Sequence, residues 1–163
     1  MAHFKQRFAV KAPLREVWRF HDDPTALKVL TPPPLRVKIL AKDEPMQAGS
    51  TLKFRLALFG IQPLGATWHA IYDEFNPYRE GERCAGFVDR SLSSPFHFWI
   101  HRHTFEALPN GNTVCTDDVT FHLTPLRGAL GKLLDALVYP GVLFLFFYRQ
   151  LQTRRVLARR ATR

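Results

Sequence analysis

Cysteine is scarce in this chain. Cys84 and Cys115 are the only two in 163 residues, too few for a disulfide framework, and no apolar stretch follows a charged start as in a secretory signal. A reducing cytoplasm is the expected home. Long hydrophobic runs are missing too: the most apolar, ALVYPGVLFLFFY at residues 136–148, carries Pro140 and Gly141 in its middle and falls short of the about 20 residues of a membrane span. It is expected to be core. No glycine-rich strand-to-helix fingerprint occurs, which argues against a nicotinamide-dinucleotide site. No repeat, linker or low-complexity segment divides residues 1–163, so a single domain is expected.

Acidic residues are the minority charge. There are 14 Asp and Glu against 23 Lys and Arg, a formal charge of +9. Such an excess can draw a chain to polyanions, but five arginines (Arg154, Arg155, Arg159, Arg160, Arg163) fall in the last ten positions. A basic end suits a terminal helix, whose C-terminal dipole favours cations. The alternative is weak contact with an anionic membrane surface through Arg154, Arg155, Arg159 and Arg160. No specific nucleic-acid partner is expected.

What is present is apolar periodicity, with 46% of residues hydrophobic. HFKQRFAVKA alternates Phe4, Phe8 and Val10 against His3, Lys5, Arg7 and Lys11, the period of a half-buried strand. Pro13 suits a first helical position, and Leu14, Val17, Trp18 and His21 follow at helical spacing. Asp23 before Pro24 is an N-cap for a second short helix that ends before TPPP. Six strands follow (LRVKIL, STLKFRLALFG, GATWHAIYDEF, GERCAGFVDRS, FHFWIHRHTFEAL, TVCTDDVTFHL), bounded by Gly, Pro and Asn signals. Beyond Pro125, Leu130, Leu134, Leu137, Gly141, Phe144, Tyr148 and Leu151 recur at three and four, predicting a long amphipathic helix, broken or kinked near Pro140. The fold class is α+β: a curved antiparallel sheet of seven strands with one face covered by a long helix, leaving room for a cavity between them.

The segment SPFHFWIHRHTF sets His97, Trp99, His101 and His103 at alternate positions. The hairpin EALPNGNTV decides which face they share. A two-residue turn on Asn110 and Gly111 would pair Pro109, which has no N–H to give, whereas a type I turn with Gly111 left-handed avoids this and pairs Leu108 with Asn112. His103 then stands opposite Asp117, His101 opposite Val119, Trp99 opposite Phe121 and Phe105 opposite Cys115. The other face carries Arg102 opposite Asp118. The more apolar face, with Trp99, His101, His103 and Phe105, is expected to look inward, although Phe96, Phe98 and Ile100 stand on the opposite parity.

His101 and His103 are close enough along one strand to share a zinc ion, with Asp117 or Asp89 as a third ligand, but His97 lies about 13 Å from His101. Two histidines without a firm third ligand are a weak signal, and no metal or cofactor is expected. A buried His103 held by Asp117 would suit proton transfer. The plainer reading is that these groups satisfy one another and receive the polar end of an apolar ligand. Asp89 shares the parity of Phe87. Trp18, Phe54, Leu58, Trp68, Tyr72, Phe144 and Tyr148 are candidate cavity walls, and Arg149 has two roles open, solvent contact or a ligand's acidic group. Cys84 and Cys115, with a strand between them, are roughly 10 Å apart and beyond disulfide reach.

FVDRSLSSPFHFWIHRHTF resembles the paired-histidine bacterial members of the START-like helix-grip superfamily (SRPBCC; polyketide cyclase/dehydrase and lipid-transport proteins). APLREVWRFHDDPTALKVLTPP, AGSTLKFRLALFG, TDDVTFHL and FFYRQL agree in order, so the likeness spans nearly the whole chain; Ser94 replaces the usual glycine before Pro95 and Phe96. The resemblance implies a seven-stranded sheet wrapped around a C-terminal helix, with a tunnel for lipids, polyketides or other apolar ligands. It implies carriage first, and cyclase or dehydratase chemistry through His103 and Asp117 as the alternative. Fold alone does not choose.

Overall fold

The structure, a computed structural model, describes residues 1–161; the side chains of Gln62, Arg160 and Ala161 are outside the description. Chain order is β1 (Ala2–Val10), α1 (Leu14–His21), a 3-10 turn (Pro24–Ala26) running into α2 (Leu27–Leu30), β2 (Leu35–Lys42), β3 (Thr51–Leu58), β4 (Gly65–Asn76), β5 (Cys84–Ser93), β6 (Phe98–Ala107), β7 (Thr113–His122) and α3 (Gly128–Ala161). The strands form one seven-stranded sheet in the order β1-β7-β6-β5-β4-β3-β2, every pair antiparallel. The expected α+β architecture is present.

Local chemistry explains the joints. Phe4, Phe8 and Val10 are buried on the inner face of β1. Pro13 is extended and precedes α1, one residue outside the expected helix start. Asp23 caps the next turn, accepting from the Thr25 backbone N–H at 2.8 Å. Bulges between His69 and Ala70 and between Tyr72 and Glu74 bend β4 and help the sheet curve. At the β6–β7 turn, Gly111 is left-handed (φ +79°), and the Leu108 N–H donates to the Asn112 carbonyl at 2.8 Å. This is the turn expected from Pro109, and it sets the whole β6–β7 register as read: His103 with Asp117, His101 with Val119, Trp99 with Phe121, Phe105 with Cys115.

α3 lies against β1 and β7, α1 lies beneath β5 and β6, and α2 touches α3 and β2. The far end of β7 is clamped to α3 by Asp135, which accepts from the Leu123 N–H (2.8 Å) and meets His122 Nδ1 (2.7 Å). α3 departs from expectation in three ways. It runs as one helix through Pro140. Its buried stripe is Gly131, Asp135, Val142, Phe146, Thr153 and Leu157, whereas Leu130, Leu137, Phe144 and Leu151 of the expected stripe are exposed. Residues 136–148 are therefore core only in part, and the unbroken helix is long and apolar enough to cross a membrane by length and composition. Apolar residues occupy both faces, so three-and-four spacing had two solutions.

Candidate functional site

Between the sheet and α3 lies a cavity of about 610 Å³, within the range of small-molecule pockets. Phe54, Trp68, Tyr72, Phe96, Trp99 and Phe105 wall it, and the lining residues Leu35, Leu137 and Phe144, themselves exposed, mark its opening. The aromatic walls hold one another: Trp68 meets Trp99 edge-on at 5.3 Å and stacks at 6.0 Å on Phe54. Phe96 faces inward against its expected parity, 5.0 Å from Trp99, because β6 starts only at Phe98 and residues 94–97 bend free of strand alternation.

At the buried end, four strands bring polar groups into one row. Gln6 stands opposite Asp117, Asp117 opposite His103, and Asp89 opposite His101. His101 is 2% exposed and Asp117 8%. Gln6 Nε2 donates to Asp117 Oδ2 at 2.9 Å and to the Phe146 carbonyl at 3.1 Å, tying β1, β7 and α3 together. His101 Nε2 lies 3.1 Å from Asp117 Oδ1 in hydrogen-bond geometry. His103 Nδ1 lies 3.2 Å from the same oxygen but off the hydrogen-bond line, leaving that nitrogen without a bonded partner; their attraction is Coulombic. The rings of His101 and His103 are 3.7 Å apart. Arg149 lines the same cavity; its guanidinium lies 5.1 Å over the Phe146 ring, and its buried Nε has no hydrogen-bond partner.

Burial and charge oppose each other here. Burial pushes the Asp117 carboxyl up, but His101 and His103 outweigh it and hold it well below the ordinary carboxylate range. Asp89 is likewise pushed up by burial and brought below its ordinary value by the two histidines and Arg149. Burial and then the neighbouring His103 lower His101. Burial also lowers His103, but Asp117 and Asp89 overcome it and raise it above its ordinary value. Of the two rings, His103 is therefore the one with the higher affinity for a proton. His21, in α1, falls to about 4, mainly through burial and then His103, and so is neutral at pH 7. Burial lowers Arg149 against the pull of Asp117 and Asp89.

Trp99, His101, His103, Phe105, Asp117, Asp89, Phe54, Trp68, Tyr72 and Phe144 all line the cavity. Three expected wall residues do not. Leu58 ends β3, where the chain turns at Phe59 (φ +52°), and Leu56 lines in its place. Trp18 is buried beneath the sheet, edge-on to Phe75 at 5.3 Å. Tyr148 is displaced from the cavity-facing side of α3, where Leu145 and Arg149 stand. His97 lies before β6, its ring 6.4 Å from His122. Gln6 joins the row as well, and its sequence signal is a polar residue on the parity of Phe4 and Phe8. Cys84 and Cys115 are both unpaired. Arg154 is engaged within the fold, donating to the Ala9 carbonyl at 3.1 Å and lying over Phe8; the Arg160 side chain and Arg163 lie outside the described residues.

No family model and no curated protein sequence matches the chain. Solved structures do. A START superfamily protein from Mycobacterium smegmatis is similar over 96% of this chain and 97% of its own, with a TM-score of 0.61 and 14% identity. An aromatase/cyclase from Streptomyces sp. R1128 covers 95% of each chain with a TM-score of 0.57 and 21% identity. A nucleoside-diphosphate sugar epimerase from Corynebacterium glutamicum matches 93% of this chain but only 28% of its own, with a TM-score of 0.60 and 24% identity. The chain shares the helix-grip fold of these structures, a seven-stranded antiparallel sheet around a long C-terminal helix.

Proposed function

We propose that the protein binds and carries a hydrophobic small molecule, a lipid, polyketide or aromatic compound with one polar end. The observation that carries this reading is the cavity itself: aromatic walls lead from an exposed opening to one buried polar end at Asp89, His101, His103, Asp117 and Arg149. Removing apolar ligand area from water contributes roughly 25 cal/mol per Å², so the walls supply affinity and the polar end sets orientation. Native mass spectrometry of protein purified from its own host tests this. A retained organic molecule is expected; its absence, with no saturable uptake of fatty-acid or aromatic probes, would overturn carriage. The two unpaired cysteines fit a reducing cytoplasm.

One observation favours a second reading, cyclase- or dehydratase-type catalysis. His103 faces the cavity between two carboxylates, with its affinity for a proton raised, which suits delivery and removal of a proton at an enol or hydroxyl. Catalysis predicts that His103→Gln abolishes turnover with ligand binding retained. Docking on anionic membranes through the arginine-rich end is the third reading. The engagement of Arg154 with β1 weakens it, and unchanged vesicle association after deletion of residues 154–163 would end it.

A further inference from the structure

We propose that Asp89, His101 and His103 form a binding site for one divalent transition-metal ion of the zinc class, with a fourth coordination position open to the cavity. The distances carry this. Asp89 Oδ2 lies 3.6 Å from His101 Nδ1 and 3.6 Å from His103 Nε2, and the three residues can each offer a ligand atom within 4.8 Å of the others. A separation of 3.6 Å is too long for a hydrogen bond. Around a tetrahedral zinc ion with bonds of about 2.0–2.1 Å, neighbouring ligand atoms are roughly 3.4 Å apart, so small inward movements complete the coordination. His101 makes the contrast within one ring: its Nε2 closes on Asp117 at 3.1 Å, while its Nδ1 stops short of Asp89.

The surroundings are those of a metal site. Histidine ligands are commonly oriented by a carboxylate on the nitrogen that faces away from the ion. Asp117 Oδ1 hydrogen-bonds His101 Nε2 at 3.1 Å and stands 3.2 Å from the unbonded His103 Nδ1, beside the far nitrogen of each ring, and Gln6 fixes its other oxygen at 2.9 Å. Two imidazoles and one carboxylate suit zinc, iron or cobalt over the oxygen-seeking magnesium and calcium. All three donors line the cavity, so the open position faces a ligand. Expecting no metal from sequence rested on the lack of a firm third ligand; β5 supplies it, placing Asp89 opposite His101.

The test is titration of chelator-stripped full-length protein with Zn²⁺ by calorimetry, and with Co²⁺ by visible absorption. One ion per chain is expected, with Asp89→Asn and His103→Gln each weakening binding at least 100-fold and Asp117→Asn weakening it about 10- to 100-fold. Because a variant of this buried row can fail to fold, ring-nitrogen NMR of the unaltered protein is the second measurement. Zn²⁺ is expected to shift the His101 and His103 signals first. Shifts confined to His3, His97 or His122, or Zn²⁺ affinity no greater than that of folded Asp89→Asn, would overturn the site. The probe is the metal alone, so the result is distinguishable from carriage: a failed metal titration leaves retention of an organic ligand standing, and the converse holds.

Discussion

His101 and Asp117 meet across adjacent strands as a buried hydrogen-bonded pair, Nε2 to Oδ1 at 3.1 Å, with side chains 3% and 12% exposed. Asp117 also accepts from Gln6 and stands 3.2 Å from the unbonded His103 Nδ1, so one carboxylate hydrogen-bonds two side chains and attracts a third. Removing the charge from such a network leaves its partners desolvated and unmatched. Asp117→Asn is expected to lower stability by about 3 kcal/mol, whereas Gln6→Ala, which removes a neutral donor, costs about 1 kcal/mol. Urea unfolding of both variants checks the ratio; equal small losses would mean that the carboxylate is dispensable.

Gly86 is the glycine on which the row depends. It pairs with Thr104, and a Cβ added there would lie 2.3 Å from the His103 carbonyl oxygen. Backbone cannot yield as a flexible side chain does, so Gly86→Ala must force β5 away from β6. A loss of about 3 kcal/mol is expected, at the upper end of overpacking costs. Full stability in chemical denaturation would show that the strands separate more easily than their ladder implies.

Arg149 makes a prediction about ligand chemistry. Its Nε is buried without a hydrogen-bond partner beside the aromatic cavity, a geometry that suits an anionic oxygen. Arg149→Met is expected to weaken binding of a carboxylated apolar probe by tenfold or more while leaving its uncharged methyl ester within about twofold, since a charge-assisted hydrogen bond contributes about 1.5–3 kcal/mol. Fluorescence titration with the paired probes reads this directly. Parallel losses for acid and ester would assign Arg149 to scaffold support instead.

The legible part of the site was the part held by a tight turn. Pro109 and Gly111 left one sensible register for β6 against β7, and so His103 opposite Asp117 followed from sequence. Asp89 was placed only as far as its parity, because residues 94–97 join β5 to β6 by a bend that fixes no register. The same bend turned Phe96 inward. α3 was legible as a helix but not in rotation: Leu137 and Phe144 repeat as regularly as Val142 and Phe146, and only the sheet decides which stripe is covered. Trp18 and Tyr148 failed as cavity walls for a related reason, since burial and proximity to a lining residue do not specify which space a side chain borders.

Asp135 supplies the pH test, away from the cavity. It is 2% exposed, accepts from the Leu123 N–H and His122 Nδ1, and has the Met1 ammonium 3.5 Å away. Burial pushes its carboxyl up, but the Leu123 bond, His122 and the N-terminal charge outweigh burial and hold it below its ordinary value of 3.8. A group depressed on folding contributes stability that is fully present above its unfolded value and lost as pH falls through the folded one. The unaltered protein should therefore lose stability below about pH 4. Asp135→Asn should start about 2 kcal/mol less stable at pH 6 and decline less steeply below pH 4. Urea midpoints at pH 3, 4, 5 and 6 measure both slopes; parallel curves for the two proteins would remove Asp135 from the acid response and leave its clamp on α3 without an electrostatic basis.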